Sequence, residues 1–273
     1  METKTQYNKE QMTPEEFATW AEQKRDQREA LYRMAEEQTK AVFDSPGTLS
    51  KHLKLQAQFG KMSVTNALLV SAQMPEAKEL HTYDEWSSRG RNVSKGAKAI
   101  QLLQPKGEYT REDGQTVPNF TAKPVFDVSQ TYGKEMRSKS YPPAKAVIKA
   151  MLTKPSVPIT WSDQIKEARY DPNTNSIEAN RKLDADQLVY AVAREYAIAN
   201  GTSLFVAECV GTTACYRYSL MPEPFDYDFT AIKRMDTREL KNLLTKAREV
   251  ACDFCDAIDK NLQKMRERKQ EER

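Results

Sequence analysis

The stretch Arg89-Gly90-Arg91-Asn92-Val93-Ser94-Lys95-Gly96-Ala97-Lys98 runs straight into Ala99-Ile100-Gln101-Leu102-Leu103. Its glycines and cations make a basic, turn-rich segment, and the apolar residues behind it predict a strand beginning near Ile100. Downstream, Glu112-Asp113-Gly114-Gln115 is a hairpin-turn signal. Asn119 to Val128, carrying Phe120, Val125, Phe126 and Val128, reads as the returning strand. A small antiparallel sheet is therefore expected there.

Working upstream, a short amphipathic piece (Tyr83, Trp86) leads into the basic turn, and before it Leu49 to Gln73 reads as a helix pair broken near Gly60 and restarted around Ser63. Thr13-Pro14-Glu15-Glu16 is a helix start, with Thr as N-cap, Pro in the first turn and Glu three residues after the cap. The long helix it opens should end before Ser45-Pro46-Gly47. Working downstream, Ser138 to Pro158 is rich in Lys, Pro and Ser around one short helical stretch (Ala144 to Leu152), which marks a boundary between two units. Asp171-Pro172-Asn173-Thr174-Asn175 is a second hairpin signal. A helix capped by Asp184 or Asp186 follows and stops at Asn200-Gly201; another spans roughly Ser203 to Leu220. The last, from an Asp236 cap through Leu262, is long and amphipathic, and the charged tail Lys264 to Arg273 is expected to fray. The fold class is α+β: a helical arm (1–44), a small helix-plus-antiparallel-sheet domain (45–137), a linker region (138–158) and a mostly helical domain (159–273).

Composition narrows the function classes. With 39% hydrophobic residues among 273 and a mean hydropathy of -0.77, the chain can build modest cores. Its longest apolar runs, such as Ala67-Leu68-Leu69-Val70, fall far short of the roughly 18 to 20 residues a membrane helix needs, and Met1-Glu2-Thr3-Lys4 lacks a signal-peptide apolar region. A cytoplasmic location without membrane contact is expected. Charge is nearly balanced overall, but residues 51–140 carry 14 basic against 9 acidic residues, an excess compatible with a polyanion partner. The four cysteines (Cys209, Cys215, Cys252, Cys255) lie in helical contexts, which argues against a disulfide framework. Cys252-Asp253-Phe254-Cys255 is a mid-helix C-x-x-C with no second pair, and ordinary partly buried thiols are expected. His52 and His81 are the whole imidazole supply, so a site needing two or three histidines lacks its materials.

Tyr83, Trp86, Arg89, Arg91, Lys95 and Lys98 cluster at the entry to the sheet. Aromatic rings stack on unpaired bases, and Arg and Lys contact phosphates and release counterions, which is the mixture single-strand binding requires. The same spacing also allows Tyr83 and Trp86 to be core residues beside a solvated turn.

Asn66, Gln73, Tyr83, Trp86, the run Gly90 to Ile100, Pro105 and Val125-Phe126-Asp127-Val128-Ser129-Gln130-Thr131 together resemble the N-terminal domain of ArdC-type antirestriction proteins and the related LtrC-like proteins of conjugative elements. The likeness covers roughly residues 45–135; Ala97 departs from it, where an acidic residue is common. It implies a domain that binds single-stranded DNA. The second half resembles the zincin-like metallopeptidase domain that follows in that family, where a helix carries H-E-x-x-H and a later helix an acidic third ligand. Here the helix reads Arg194-Glu195-Tyr196-Ala197-Ile198, so Glu195 stands at the general-base position while Arg194 and Ile198 occupy the histidine positions. Glu208 matches the third ligand. Arg has no lone pair to lend a cation and Ile has none at all, so the site keeps its base and loses its metal.

The expectation is a degenerate, pseudo-metallopeptidase domain with no metal, no cofactor and no catalytic residues, in which Arg194 pairs with Glu208, Glu195 or both, or else points to solvent. The function expected is non-enzymatic: a single-stranded-DNA-binding accessory protein of a plasmid, conjugative element or phage, with the antirestriction role the resemblance implies. Two rivals stand beside it. One is a protein-interaction module whose vacated groove binds a restriction or DNA-transfer component of the host; the other is a residual metallohydrolase built on cysteines or carboxylates. Oligomeric state is open.

Overall fold

The computed structural model describes residues 12–110, 113–136, 139–225, 227 and 229–271. Of the features read above, the first residues of the arm, Glu112 of the hairpin turn, Ser138 at the boundary and the last two residues of the tail lie outside them.

Helix α1 (Pro14–Val42) starts where a capping box closes: the Glu16 N–H donates to Thr13 Oγ1 at 3.2 Å and the Thr13 N–H to Glu16 Oε2 at 2.8 Å. Ser45 caps α2 (Pro46–Gln58) and Ser63 caps α3 (Val64–Gln73), on either side of the break at Gly60. Then come β1 (Leu80–His81), the short helix α4 (Tyr83–Ser88), β2 (Arg91–Val93), β3 (Ile100–Thr110), β4 (Thr116–Asp127) and β5 (Thr131–Gly133). The strands form two antiparallel sheets, one ordered β1-β4-β3 and the other a two-stranded ribbon of β2 and β5. In the ribbon Arg91 pairs with Gly133, Asn92 with Tyr132 and Val93 with Thr131.

Helix α3 seals one edge of the first sheet with two side-chain amides. Asn66 donates to the Leu103 carbonyl at 2.9 Å and accepts from its N–H at 2.8 Å, while Gln73 does the same to Gln101 at 3.0 and 2.9 Å. An edge strand leaves a row of unpaired N–H and C=O groups, and these amides satisfy them on β3. Leu31 and Ala35 of α1, Ala67, Leu69 and Val70 of α3, and Ile100 and Val125 of the sheet form the core beneath.

The second half contains α5 (Ala144–Met151), β6 (Ile159–Ser162), β7 (Ala168–Asp171), β8 (Ser176–Asn180), α6 (Ala185–Ala199), α7 (Leu204–Arg217) and α8 (Thr237–Glu271). Its sheet runs β6-β8-β7, with β7 antiparallel and β6 parallel to β8. The second core is built around α6, α7 and α8.

Three expectations change. The halves are not packed as separate arm, domain and linker, because Val42, Leu49, Leu53, Val64 and Leu68 of the first three helices lie in the second core, while Leu55 and Leu69 of the same helices lie in the first. All three helices therefore contribute residues to both cores and join them. The short helix of the 138–158 region also belongs to the second core, with Val147, Ala150 and Met151 buried there. The tail does not fray at Lys264; α8 continues to Glu271, sustained by good helix formers of both charge signs. The sheet class holds: this is an α+β fold of small sheets and packed helices. Among the described residues, no helix is long and apolar enough to cross a membrane.

Candidate functional site

Two places bring the singled-out residues together. The first lies between α6 and α7. Asp184 caps α6, accepting from the Gln187 N–H at 2.9 Å, and places Tyr190, Arg194 and Ile198 at successive turns. The helices approach closely because Gly211 of α7 sits against Tyr190: a Cβ there would lie 3.0 Å from two ring carbons and from the Tyr190 carbonyl oxygen. That approach brings Glu208 to Arg194.

The Arg194 guanidinium is the hub of the cluster. Nε donates to Glu195 Oε1 at 3.0 Å, Nη1 pairs with Glu167 Oε2 at 2.9 Å, and Nη1 stands 3.7 Å from Glu208 Oε1. The other Glu208 oxygen accepts from the Tyr190 hydroxyl. Burial opposes the charge on Arg194, but Glu195 and Glu167 outweigh it and hold the guanidinium above its ordinary pKa; burial, then Glu208, pushes the Tyr190 hydroxyl up. Glu195 is buried and turned toward the sheet, where its Oε2 accepts from the Tyr170 N–H of β7 at 2.8 Å. Ile198 packs half-buried against the second core. A cavity of about 570 Å³ opens beside the cluster, with Lys166, Lys182 and Glu223 around Glu167, Arg194 and Glu208.

These residues do not fit a divalent cation. The three carboxylates converge on a guanidinium that itself occupies the space between them and would repel a cation there, and no imidazole stands near: His52 is buried in α2, and His81 Nε2 is 2.9 Å from Glu79. Among the described residues no group of three His, Cys, Asp or Glu side chains is arranged to hold a metal ion. The cysteines are free thiols, with Cys252 half-buried and donating toward the Gly60 carbonyl at 3.2 Å. Of the expected alternatives for Arg194, the ion-paired one is observed, and with both acids. Glu167 and Tyr190 were not anticipated. Tyr190 was legible as the residue one turn before Arg194, but Glu167 comes from the approach to β7 and leaves no periodic signal.

The second place is the basic turn, and here the expected contact residues divide. Trp86 is fully buried, with its indole N–H donating to the Phe126 carbonyl at 2.9 Å and its ring edge-on to His81. It cannot stack on a base; an indole has a large apolar body and one donor, and the sheet satisfies both. Arg91 is likewise scaffold. Its Nε donates to Thr131 Oγ1 and its Nη2 to the Thr131 carbonyl, both at 2.8 Å, and its Nη1 reaches the Lys134 carbonyl. The guanidinium also lies 6.0 Å from the Trp86 ring centroid. The phosphate role expected of Arg91 is therefore replaced by one of bracing the ribbon. Tyr83, Arg89, Lys95 and Lys98 remain on the surface, Arg89 within 3.7 Å of Glu79.

The Phe126-Asp127-Val128-Ser129-Gln130-Thr131 motif explains itself here as architecture. Buried Asp127 accepts from the Lys78, Glu79 and Ser129 N–H groups. Burial works against its ionisation, yet these hydrogen bonds hold the carboxyl below its ordinary pKa. Gln130 accepts from the Asp127 N–H at 2.9 Å and donates to the Lys98 carbonyl at 2.8 Å, tying the basic turn to β5.

No family model matches the chain, and no curated protein sequence matches it. Among solved structures, the metal-free crystal structure of the antirestriction protein ArdC from plasmid R388 superposes with a TM-score of 0.50 at 20% identity, covering 74% of this chain and 84% of that one. The Mn(II)-bound structure of the same protein gives 0.50 at 18% identity, covering 78% and 98%. The fold implied by the sequence resemblance is the fold observed, and it spans both halves.

Proposed function

We propose that this chain is a non-enzymatic, single-stranded-DNA-binding accessory protein of a plasmid or other mobile element, acting in the cytoplasm, with a role in antirestriction. The observation that carries the reading is the pairing of a retained fold with a filled site. The fold is shared with a plasmid antirestriction protein, but where a zincin-like domain would place its first metal ligand this chain places the Arg194 guanidinium, held by Glu167, Glu195 and Glu208. Glu195 is engaged by Arg194 and the Tyr170 N–H, so it is not poised to take a proton from a water. Function then rests on a surface. The basic turn, with Tyr83, Arg89, Lys95 and Lys98 exposed, carries the aromatic and cationic groups that unpaired DNA uses.

A labelled strand of about 20 nucleotides and its duplex, titrated with protein at low and moderate salt, test this. Tighter, salt-sensitive binding of the single strand is expected, with no hydrolysis of a peptide library with or without added Zn²⁺ or Mn²⁺. Failure to bind either strand form at low salt would sink the DNA reading. The cavity beside Arg194 favours a second one, in which that groove takes a segment of a host restriction or DNA-transfer protein.

A further inference from the structure

The β2–β5 ribbon has two faces. Side chains alternate along a strand, so Arg91 and Val93 share one face and Asn92 takes the other, while across the pair Thr131 and Tyr132 divide in the same way. The inner face is fully engaged: Arg91 and Thr131 hold each other, Thr131 Oγ1 donates to the Val128 carbonyl at 2.8 Å, and Trp86 closes beneath. The outer face presents Tyr132, 59% exposed, directly opposite exposed Asn92. Neither side chain has a hydrogen bond, ion pair or ring partner among the described residues.

The ribbon is also clamped. Gly133 has φ +126°, and a Cβ at that position would lie 2.6 Å from the Gly90 carbonyl oxygen, so the two backbones meet at a distance only glycine permits. Gly90, with φ +75°, accepts from the Lys134 N–H at 3.0 Å at the same end. At the other end the Ser94 N–H donates to the Gln130 carbonyl at 2.8 Å. Lys95 follows that second clamp and Lys134 follows the first. Both are exposed and without an ion pair among the described residues, just beyond opposite ends of the ribbon. An aromatic ring fixed on a braced platform between two unpaired cations loses little freedom when a flat ligand lies on it.

We propose that Tyr132, with Asn92 beside it, is the platform on which an unpaired base of single-stranded DNA stacks, and that Lys95 and Lys134 take the flanking phosphates. The assignment rests on the single-strand reading above and deepens it by placing the contact on this face. The Tyr132 ring supplies sequence-tolerant stacking, and the Asn92 amide offers a donor and an acceptor to the base edge.

Full-length wild type, Tyr132→Ala, Tyr132→Phe and the pair Lys95→Ala/Lys134→Ala would be titrated into fluorescein-labelled dT20 and a 20-base-pair duplex, with thermal melts as a folding check. Tyr132→Ala should weaken dT20 binding about five- to one-hundred-fold at an unchanged melting temperature, and Tyr132→Phe, which keeps the ring, should stay within about two-fold. The lysine pair should flatten the plot of log affinity against log salt by about 1.4. Photocrosslinking to a 5-bromodeoxyuridine strand should mark Tyr132. If wild type binds dT20 and Tyr132→Ala binds equally well, with the crosslink elsewhere, the platform is overturned while the single-strand reading stands. If wild type does not bind dT20, that reading falls and the platform with it.

Discussion

The Arg194 guanidinium stands 3.7 Å from Glu208 across the α6–α7 pair, and the opposite oxygen of the same carboxylate takes the Tyr190 hydroxyl. Glu208 is thus held from two points one helical turn apart on α6. The contact depends on Gly211, since a larger residue would push α7 away from the Tyr190 ring. Glu208 is thus one pole of an internal ion pair.

Removing the cation leaves Glu195 buried and Glu208 without its counter-charge. Losing one partner of a buried pair costs more than the pair contributes, so Arg194→Ala should destabilise by about 2–4 kcal/mol in urea titrations at neutral pH. Glu167→Gln removes an acid whose side chain is 57% exposed and should cost under about 1 kcal/mol. Equal effects of the two variants would contradict the hub arrangement.

The same geometry can be run backwards. His at 194 and 198 would stand four residues apart on one helix face, with Glu208 offered from α7, which is a three-ligand zinc set. Arg194→His/Ile198→His should therefore retain close to one zinc per chain after dialysis, by elemental analysis, and adding Glu208→Gln should lower the affinity. A double variant that holds no more zinc than wild type would show that α6 and α7 do not present these positions to a common point.

His52 supplies a pH test. It is fully buried in α2, its Nδ1 has no hydrogen-bond partner, and burial pushes its pKa from 6.5 down to about 4. Between those values the unfolded chain binds a proton that the folded chain does not, so stability rises with pH across the window. This contribution is whole above about pH 6.5 and is lost as pH falls toward 4, by about 2–3 kcal/mol. The stability difference between pH 7 and pH 4.5 should shrink by about that amount in His52→Leu. An undiminished difference would mean that His52 protonates in place.

Much of the local structure was legible. The Thr13 capping box, an aspartate cap on α6 that falls to Asp184 of the two candidates, the break at Gly60 with its restart at Ser63, and the turn at Asp171 to Asn175 all stand where their residues place them. These signals act within four or five residues, so neighbours in sequence are enough to read them. Strand β6 escaped because a parallel partner leaves no hairpin signature, and β1, β2 and β5 because two or three residues show no alternation.

The sites divide along the same line. That Arg194 and Ile198 cannot ligate a metal was determined by residue chemistry alone, since no folding gives a guanidinium a lone pair or isoleucine a donor. Which acids would neutralise Arg194 was decided by the tertiary structure, because Glu167 and Glu208 arrive from elements on either side of α6 in the chain. So was the fate of the aromatic rings. Trp86 and Tyr132 read alike in composition, yet the strand pairing sends one beneath the ribbon to the Phe126 carbonyl and leaves the other 59% exposed on its outer face. Burial belongs to the packed chain as a whole: it follows from which face of an element meets another, and a residue's type sets only what that burial costs or gains.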